Sequence, residues 1–380
     1  MKISFKSINN FLIIFLMLAI VAPTNIAKLL IFIIFFLITI KVLIFSKISL
    51  GFSKLIILAF LAPGMILTAI NSPQDLIRFS VILILIFGFP FKKFQFNEKI
   101  IINISSLILI YLIFTQIFIS YGTDWLISFR NSWYTHENPD YFEYLNFINP
   151  NKNESLLEVI GKYRLGGLFY NPNVLGLIVL FYFFIFYECY SNLENKKKLI
   201  YLFITSITFF SLLLTFSRTA IIGFLIYYFI KKVSIKELLF LRIKKKSILT
   251  LLLVIFVVFY SSSHLLEGLS SLGSGGLKFK ILIDYLKSAD LISIIFGGQH
   301  DTEYRAFDAD LGNWIGAVGF IGIVGIILLF RRIVTFNKNT LPLIVALTFM
   351  SIGNTALYGL LTANLLLCYF LIVSDKKIKN

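Results

Sequence analysis

Charge is what this chain lacks most. Asp, Glu, Lys and Arg together make up 14% of its 380 residues, hydrophobic residues make up 58%, and the mean hydropathy is +0.89. That ratio excludes a soluble globular domain, whose surface needs more polar residues than this chain holds. Histidine and cysteine are nearly absent, at three and two residues, so there is no Cys/His cluster with metal-ligand spacing and no disulfide framework. Both cysteines, Cys189 and Cys368, sit inside apolar segments, where a free thiol behaves as a small hydrophobe. Acids are scarce even among the charges, 19 against 35 bases, for a net charge of +16. In a soluble protein that excess would suggest nucleic acid; here its placement along the chain makes it a topology signal, and no nucleic-acid partner is expected. No internal repeat is legible.

What the chain has in quantity is apolar runs. A hydrocarbon core of ~30 Å takes about 20 residues of helix, and runs near that length recur from end to end. Only helices and closed barrels satisfy their own backbone in lipid, and the run lengths select helices. The expectation is an all-α polytopic membrane protein, a single integral membrane domain over residues 1–380 with about twelve transmembrane helices. These fall near residues 9–23, 27–46, 54–71, 76–91, 99–120, 167–190, 198–216, 219–231, 246–262, 311–330, 341–358 and 360–374. The opening MKISFKSINNFLIIFLMLAIVA has the basic and apolar regions of a signal peptide, yet span after span follows it, so it reads as an uncleaved first helix.

Orientation follows from the bases. With the N-terminus in the cytoplasm, 24 of the 35 basic residues fall in inner segments and at least 14 of the 19 acids fall outside. Every inner loop then obeys the positive-inside rule, and both termini are cytoplasmic. Two outer-face loops are long, residues 121–166 and 263–310, and loops of that size on a compact domain usually carry function. The first is crowded with aromatics and acids in DWLISFRNSWYTHENPDYFEYLNF, which fits either stacking on sugar rings or an interfacial aromatic belt. The second opens with the flexible GLSSLGSGG and continues as LKFKILIDYLKSADLISIIFG, an amphipathic pattern that suggests one helix lying on the outer surface.

Among the basic residues kept outside and close to a helix end, three arginines stand out. Arg164 precedes the sixth span, Arg218 lies in the tight turn LTFSRTAIIG, and Arg305 lies in GGQHDTEYRAFDAD before the tenth span. Each alone is explained by snorkelling to headgroups or by pairing with a loop acid such as Asp308. As a set on one face they suit another task, because the planar, permanently charged guanidinium forks hold phosphate, here the head of a lipid pyrophosphate. Glycines in RLGGLFYNPNVLG let backbone approach a ligand closely, and Pro172 suits the first turn of a helix while preventing an earlier start. Asn171 can cap that helix, whose amides would point toward an anion. A well-capped helix start accounts for Asn171 and Pro172 but leaves Arg164 and Asn173 unexplained.

Three blocks in order, RLGGLFYNPNVLG, TFSRTAIIG and FDADLGNWIGAVGFIGIVG, resemble the bacterial O-antigen polymerase and O-antigen ligase superfamily over residues 120–330. The resemblance implies a GT-C-type glycosyltransferase membrane fold in the cytoplasmic (inner) membrane, acting at its outer face on undecaprenyl-pyrophosphate-linked sugars. It implies a polysaccharide polymerase, for O-antigen of lipopolysaccharide or for capsule, which moves a growing glycan from its lipid pyrophosphate onto a new lipid-linked repeat unit. Arg164 and Arg218 would neutralise the leaving pyrophosphate, with Arg305, Asn171, Asn173 and Ser217 on the substrate. No metal and no cofactor is implied. Membrane lipids, the lipid-linked oligosaccharide and a chain-length regulator protein are the expected partners.

The chain departs from the family in two places. Ligases typically carry histidine where the span after the large loop begins, whereas this chain reads Asp308, Ala309, Asp310, with His300 the nearest histidine. That departure favours a polymerase and makes Asp308 or Asp310 the first candidate base, His300 the next. Asp310 as a helix N-cap and Asp308 as partner to Arg305 stay open as alternatives. In GSGGLKFK, where relatives often carry arginine, Lys278 or Lys280 substitutes as a point charge. Two other functions fit a chain of this kind. One is an O-antigen ligase with a lipid A core acceptor; the other is a non-enzymatic flippase of lipid-linked glycan, which would need charges lining a path through the membrane. Only Lys41, close enough to an end to snorkel, and Glu188, near the cytoplasmic boundary, are candidates for such a path.

Overall fold

The computed structural model describes residues 5–21, 25–45, 51–71, 76–91, 96–120, 165–169, 172–191, 198–215, 217–232, 285–298, 310–353 and 360–374. Its elements are all helices, with no strand among the described residues: α1 (Phe5–Val21), α2 (Asn25–Phe45), α3 (Phe52–Asn71), α4 (Leu76–Gly88), α5 (Glu98–Ser120), α6 (Pro172–Ser191), α7 (Lys198–Thr215), α8 (Arg218–Lys232), α9 (Leu291–Phe296), α10 (Asp310–Phe336), α11 (Leu341–Gly353) and α12 (Leu360–Ser374). Short 3-10 turns lie at Gly167–Phe169 and Lys338–Thr340. Five helices are long and apolar enough to cross a bilayer: α3, α5, α6, α7 and α10. Shorter apolar helical stretches occupy α1, α2, α4 and α12. The span expected at 246–262, the loop 121–164 and residues 354–359 lie outside the described residues.

The chain forms two compact units. Met1–Phe45, Phe91–Ile221 and Asn364–Lys377 make the first; Ser46–Pro90, Ile222–Ala363 and Ile378–Asn380 make the second.

The first unit is built around α6. Phe181, Phe183, Phe184 and Phe186 are all fully buried, as is most of this helix. A helix that is apolar all round belongs in the centre of a bundle. Lipid is as apolar as phenylalanine, so this packing is driven by van der Waals fit and a few internal hydrogen bonds. Tyr182 donates from its hydroxyl to the Met17 carbonyl of α1, and Tyr369 of α12 donates to Glu188 Oε1 at 3.0 Å. Glu188 is thus buried, with the Tyr369 hydroxyl as a partner. Lys41 is likewise buried and donates to the Asn9 side chain of α1.

In the second unit α3 and α10 pack at backbone distance. α10 is two helical pieces joined at Gly319, whose φ of 65° and ψ of −178° lie in a region open essentially only to glycine. The break frees carbonyls inside an apolar stretch, and they are recaptured locally. Thr68 Oγ1 of α3 donates to the Ala317 carbonyl at 2.7 Å, and the Gly298 N–H reaches the Gly316 and Ala317 carbonyls at 2.9 and 3.2 Å. A Cβ on Gly64 would come within 2.5 Å of the Phe296 carbonyl oxygen, so glycine is what allows α3 to reach the end of α9. α4 stops before Pro90, and its last carbonyls are taken by cations from other helices. Arg332 donates to Ile86 and Phe89 at 3.0 and 3.2 Å, and Lys54 to Phe87 at 3.0 Å. That lateral role explains why α10 runs on to Phe336, six residues beyond the apolar run from which its end was expected at 330.

The single amphipathic helix expected across LKFKILIDYLKSADLISIIFG is interrupted. Residues 285–288 are helical, Ala289 and Asp290 are not, and α9 restarts at Leu291. Asp290 causes the interruption by capping the restart: it accepts from the Ser293 N–H at 2.7 Å and the Ser293 hydroxyl at 2.8 Å. Those bonds hold its carboxyl below the usual carboxylate range. A depressed carboxylate stabilises the fold above its unfolded pKa of about 3.9 and loses that contribution as pH falls through the folded value. Asp290→Ala should therefore fray α9 at neutral pH while Asp290→Asn keeps the cap. Amide exchange at Ser293 and Ile294 reads the difference; equal protection in all three proteins would refute it.

Candidate functional site

The first unit brings two of the three arginine-bearing blocks together at one end. Leu165, the residue after Arg164, donates its N–H to the Leu214 carbonyl near the end of α7 at 3.0 Å. Leu165 and Leu214 also pack on each other, with Ile117 of α5 against them. Gly167 then turns the chain with a φ of 53°, a value that a side chain would strain, and Pro172 opens α6 five residues later. α6 was expected to begin at 167; proline at its first position and the left-handed glycine set the later start.

Four residues into α6, Gly176 faces the turn between α7 and α8. A Cβ there would lie 3.0 Å from both Ser217 Cβ and Ala220 Cβ, and 3.3 Å from Thr215 Oγ1. The turn itself is built by short polar side chains. The Ser217 N–H donates to Thr215 Oγ1 at 3.1 Å, the Ser217 and Thr219 hydroxyls lie 3.4 Å apart, and the Ile221 N–H closes the first turn of α8 on the Ser217 carbonyl at 3.0 Å. Ser217 is the buried N-cap, and Arg218 is the first helical residue with an exposed side chain. A cation at that position opposes the helix dipole, which costs about 0.3–1 kcal/mol. Helix stability therefore does not account for Arg218.

Gln116 is the residue that sequence reasoning missed. It is fully buried near the end of α5, and its Nε2 donates to the Leu165 carbonyl at 3.0 Å and the Ser211 carbonyl at 3.3 Å. Its Oε1 accepts from the Ser211 hydroxyl at 2.7 Å. The only signal in the sequence is one amide in the apolar run LIFTQIFIS.

Of the other candidates, Asn173 is half-buried in the first turn of α6, and Asp310 heads α10 in the second unit. Arg164, Asn171, Lys278, Lys280, His300, Arg305 and Asp308 lie outside the described residues. Among the described residues no group of three His, Cys, Asp or Glu gathers closely enough to hold a metal ion.

Helices of this length and composition, with polar side chains bonded internally, define an α-helical membrane protein with lipid-facing surface. Comparison with known proteins adds no relative: no family model, curated protein or solved structure matches the chain.

Proposed function

We propose that this protein is a polysaccharide polymerase of the cytoplasmic membrane, with both termini in the cytoplasm and the end of the first unit that carries Ser217 and Arg218 facing outward. The reaction moves a growing glycan from undecaprenyl pyrophosphate to a hydroxyl on the non-reducing end of a lipid-linked repeat unit. The anomeric bond to the pyrophosphate oxygen breaks, a bond to the acceptor oxygen forms, and the acceptor proton passes to a base. Arg164 and Arg218 neutralise the leaving pyrophosphate. Asn171 and Asn173 contact the substrate, Ser217 holds the turn that carries Arg218, and a chain-length regulator is a natural partner.

One observation carries this reading: Leu165 is hydrogen-bonded to Leu214, and Gly176 packs on Ser217, so two blocks about fifty residues apart in the chain meet at a single end of one unit. A flippase needs charges free to line a path, whereas Lys41 and Glu188 are engaged with Asn9 and Tyr369. Deleting the protein in its own cell separates polymerase from ligase. A polymerase mutant keeps a single repeat unit on the acceptor and loses the ladder; a ligase mutant loses both, and that result would replace the proposal.

A further inference from the structure

Nothing in α5 itself calls for Gln116. Leucine would fill the same space in this apolar helix, and a buried amide is costly unless both of its ends are bonded. Its bonds to the Leu165 carbonyl and to Ser211 reach other segments. Through Nε2 it holds the Leu165 carbonyl, while Leu214 holds the Leu165 N–H, so both backbone polar groups of the residue following Arg164 are fixed. Through Ser211 the same amide grips α7 one turn before the Ser217 turn begins. Gly167 presses on α5 at this level: a Cβ there would lie 3.1 Å from Gln116 Cα. One side chain therefore ties the Leu165–Gly167 turn to the helix that leads into Ser217 and Arg218.

We propose that Gln116 is a positioning residue for transfer from the lipid pyrophosphate, holding the Leu165–Gly167 turn at a fixed offset from Ser217 and Arg218. The inference rests on the polymerase reading above and adds how the two blocks are kept in register. Catalysis by positioned charge is sensitive to distance, and a displacement of about 1 Å can cost on the order of 100-fold in rate. Binding of the long lipid tail and the glycan depends far less on this offset, so the loss falls on kcat and not on KM.

The test uses the full-length protein in lipid nanodiscs with undecaprenyl-pyrophosphate-linked repeat units extracted from the cell that makes it. Gln116→Met conserves volume and removes every hydrogen bond of the amide. It is expected to insert, to melt below the parent because the Leu165 carbonyl and the Ser211 hydroxyl lose a partner, to lower kcat about 10- to 100-fold, and to leave KM within about threefold. Ser211→Ala, which keeps Gln116 but frees one end of it, should lower kcat by a smaller factor. Parental kcat in Gln116→Met, or a raised KM with unchanged kcat, overturns the proposal. If Gln116→Met fails to fold, parental kcat in Ser211→Ala overturns it instead. Arg218→Ala in the same assay separates the two claims. Should it polymerise normally, the polymerase site is misplaced and the positioning role falls with it; should it be inactive while Gln116→Met is normal, only the positioning role falls.

Discussion

Arg218→Ala is expected to abolish long-chain glycan while leaving the protein folded and in the membrane. The two halves of that expectation have separate physical causes. Arg218 is exposed at the first residue of α8, where the helix dipole disfavours a cation, so removing it should leave stability unchanged or raise it by a few tenths of a kcal/mol. Removing one donor to charge that develops on a leaving group typically costs about 100- to 1,000-fold in rate. Arg218→Lys restores a point charge without the planar fork and should recover only part of the activity. Arg164→Ala is expected to behave like Arg218→Ala, and the double variant to be hardly worse than either, because groups that hold one pyrophosphate act as a unit. Gel profiles of surface glycan, beside immunoblots of the membrane fraction, measure both halves. Full-length ladders from well-expressed Arg218→Ala would remove the proposed role.

The largest effect on stability is expected at Gly319. By helix propensity alone, Gly319→Ala inside α10 should stabilise the protein by roughly 1 kcal/mol. The structure reverses the sign. A backbone at φ 65° and ψ −178° is strained for alanine, and the added Cβ would overlap the Ile295 carbonyl oxygen, a backbone atom with no rotamer to escape to. Strain of this kind costs about 1–3 kcal/mol before the overlap is counted. Accommodating the methyl would push α9 off α10 and undo the Gly298 bonds to Gly316 and Ala317. We expect Gly319→Ala to lose about 3 kcal/mol or more. Gly51→Ala serves as the comparison: a Cβ there meets nothing within 4 Å. Thermal unfolding in detergent compares the two, and equal melting temperatures would show that the kink is not required.

Much of the helical framework was legible because membrane burial writes itself into composition. The apolar runs marked α3, α5, α6 and α7 to within a few residues, since length and hydropathy alone decide what fits a bilayer. RLGG and SRTA stood out for a related reason: with the orientation expected from the basic loops, their arginines sit where the positive-inside bias would not put them. Elements were misjudged where a side chain reaches sideways. α10 runs on past its apolar run because Arg332 turns to cap α4, and the surface helix breaks at Asp290 because a capping carboxylate competes with the helix backbone. No periodicity records either choice.

Sequence by itself determined that this is a helical membrane protein, where its long helices run, and which arginines need a reason. Tertiary structure alone decided that Leu165 is bonded to Leu214, that Gly176 meets Ser217, that α10 bends at Gly319, and that Gln116 joins three segments. The division has a physical origin. Partition into lipid is a sum over single residues and can be read along the chain, whereas a hydrogen bond or a glycine contact between distant segments exists only once their backbones have been brought to within a few ångströms.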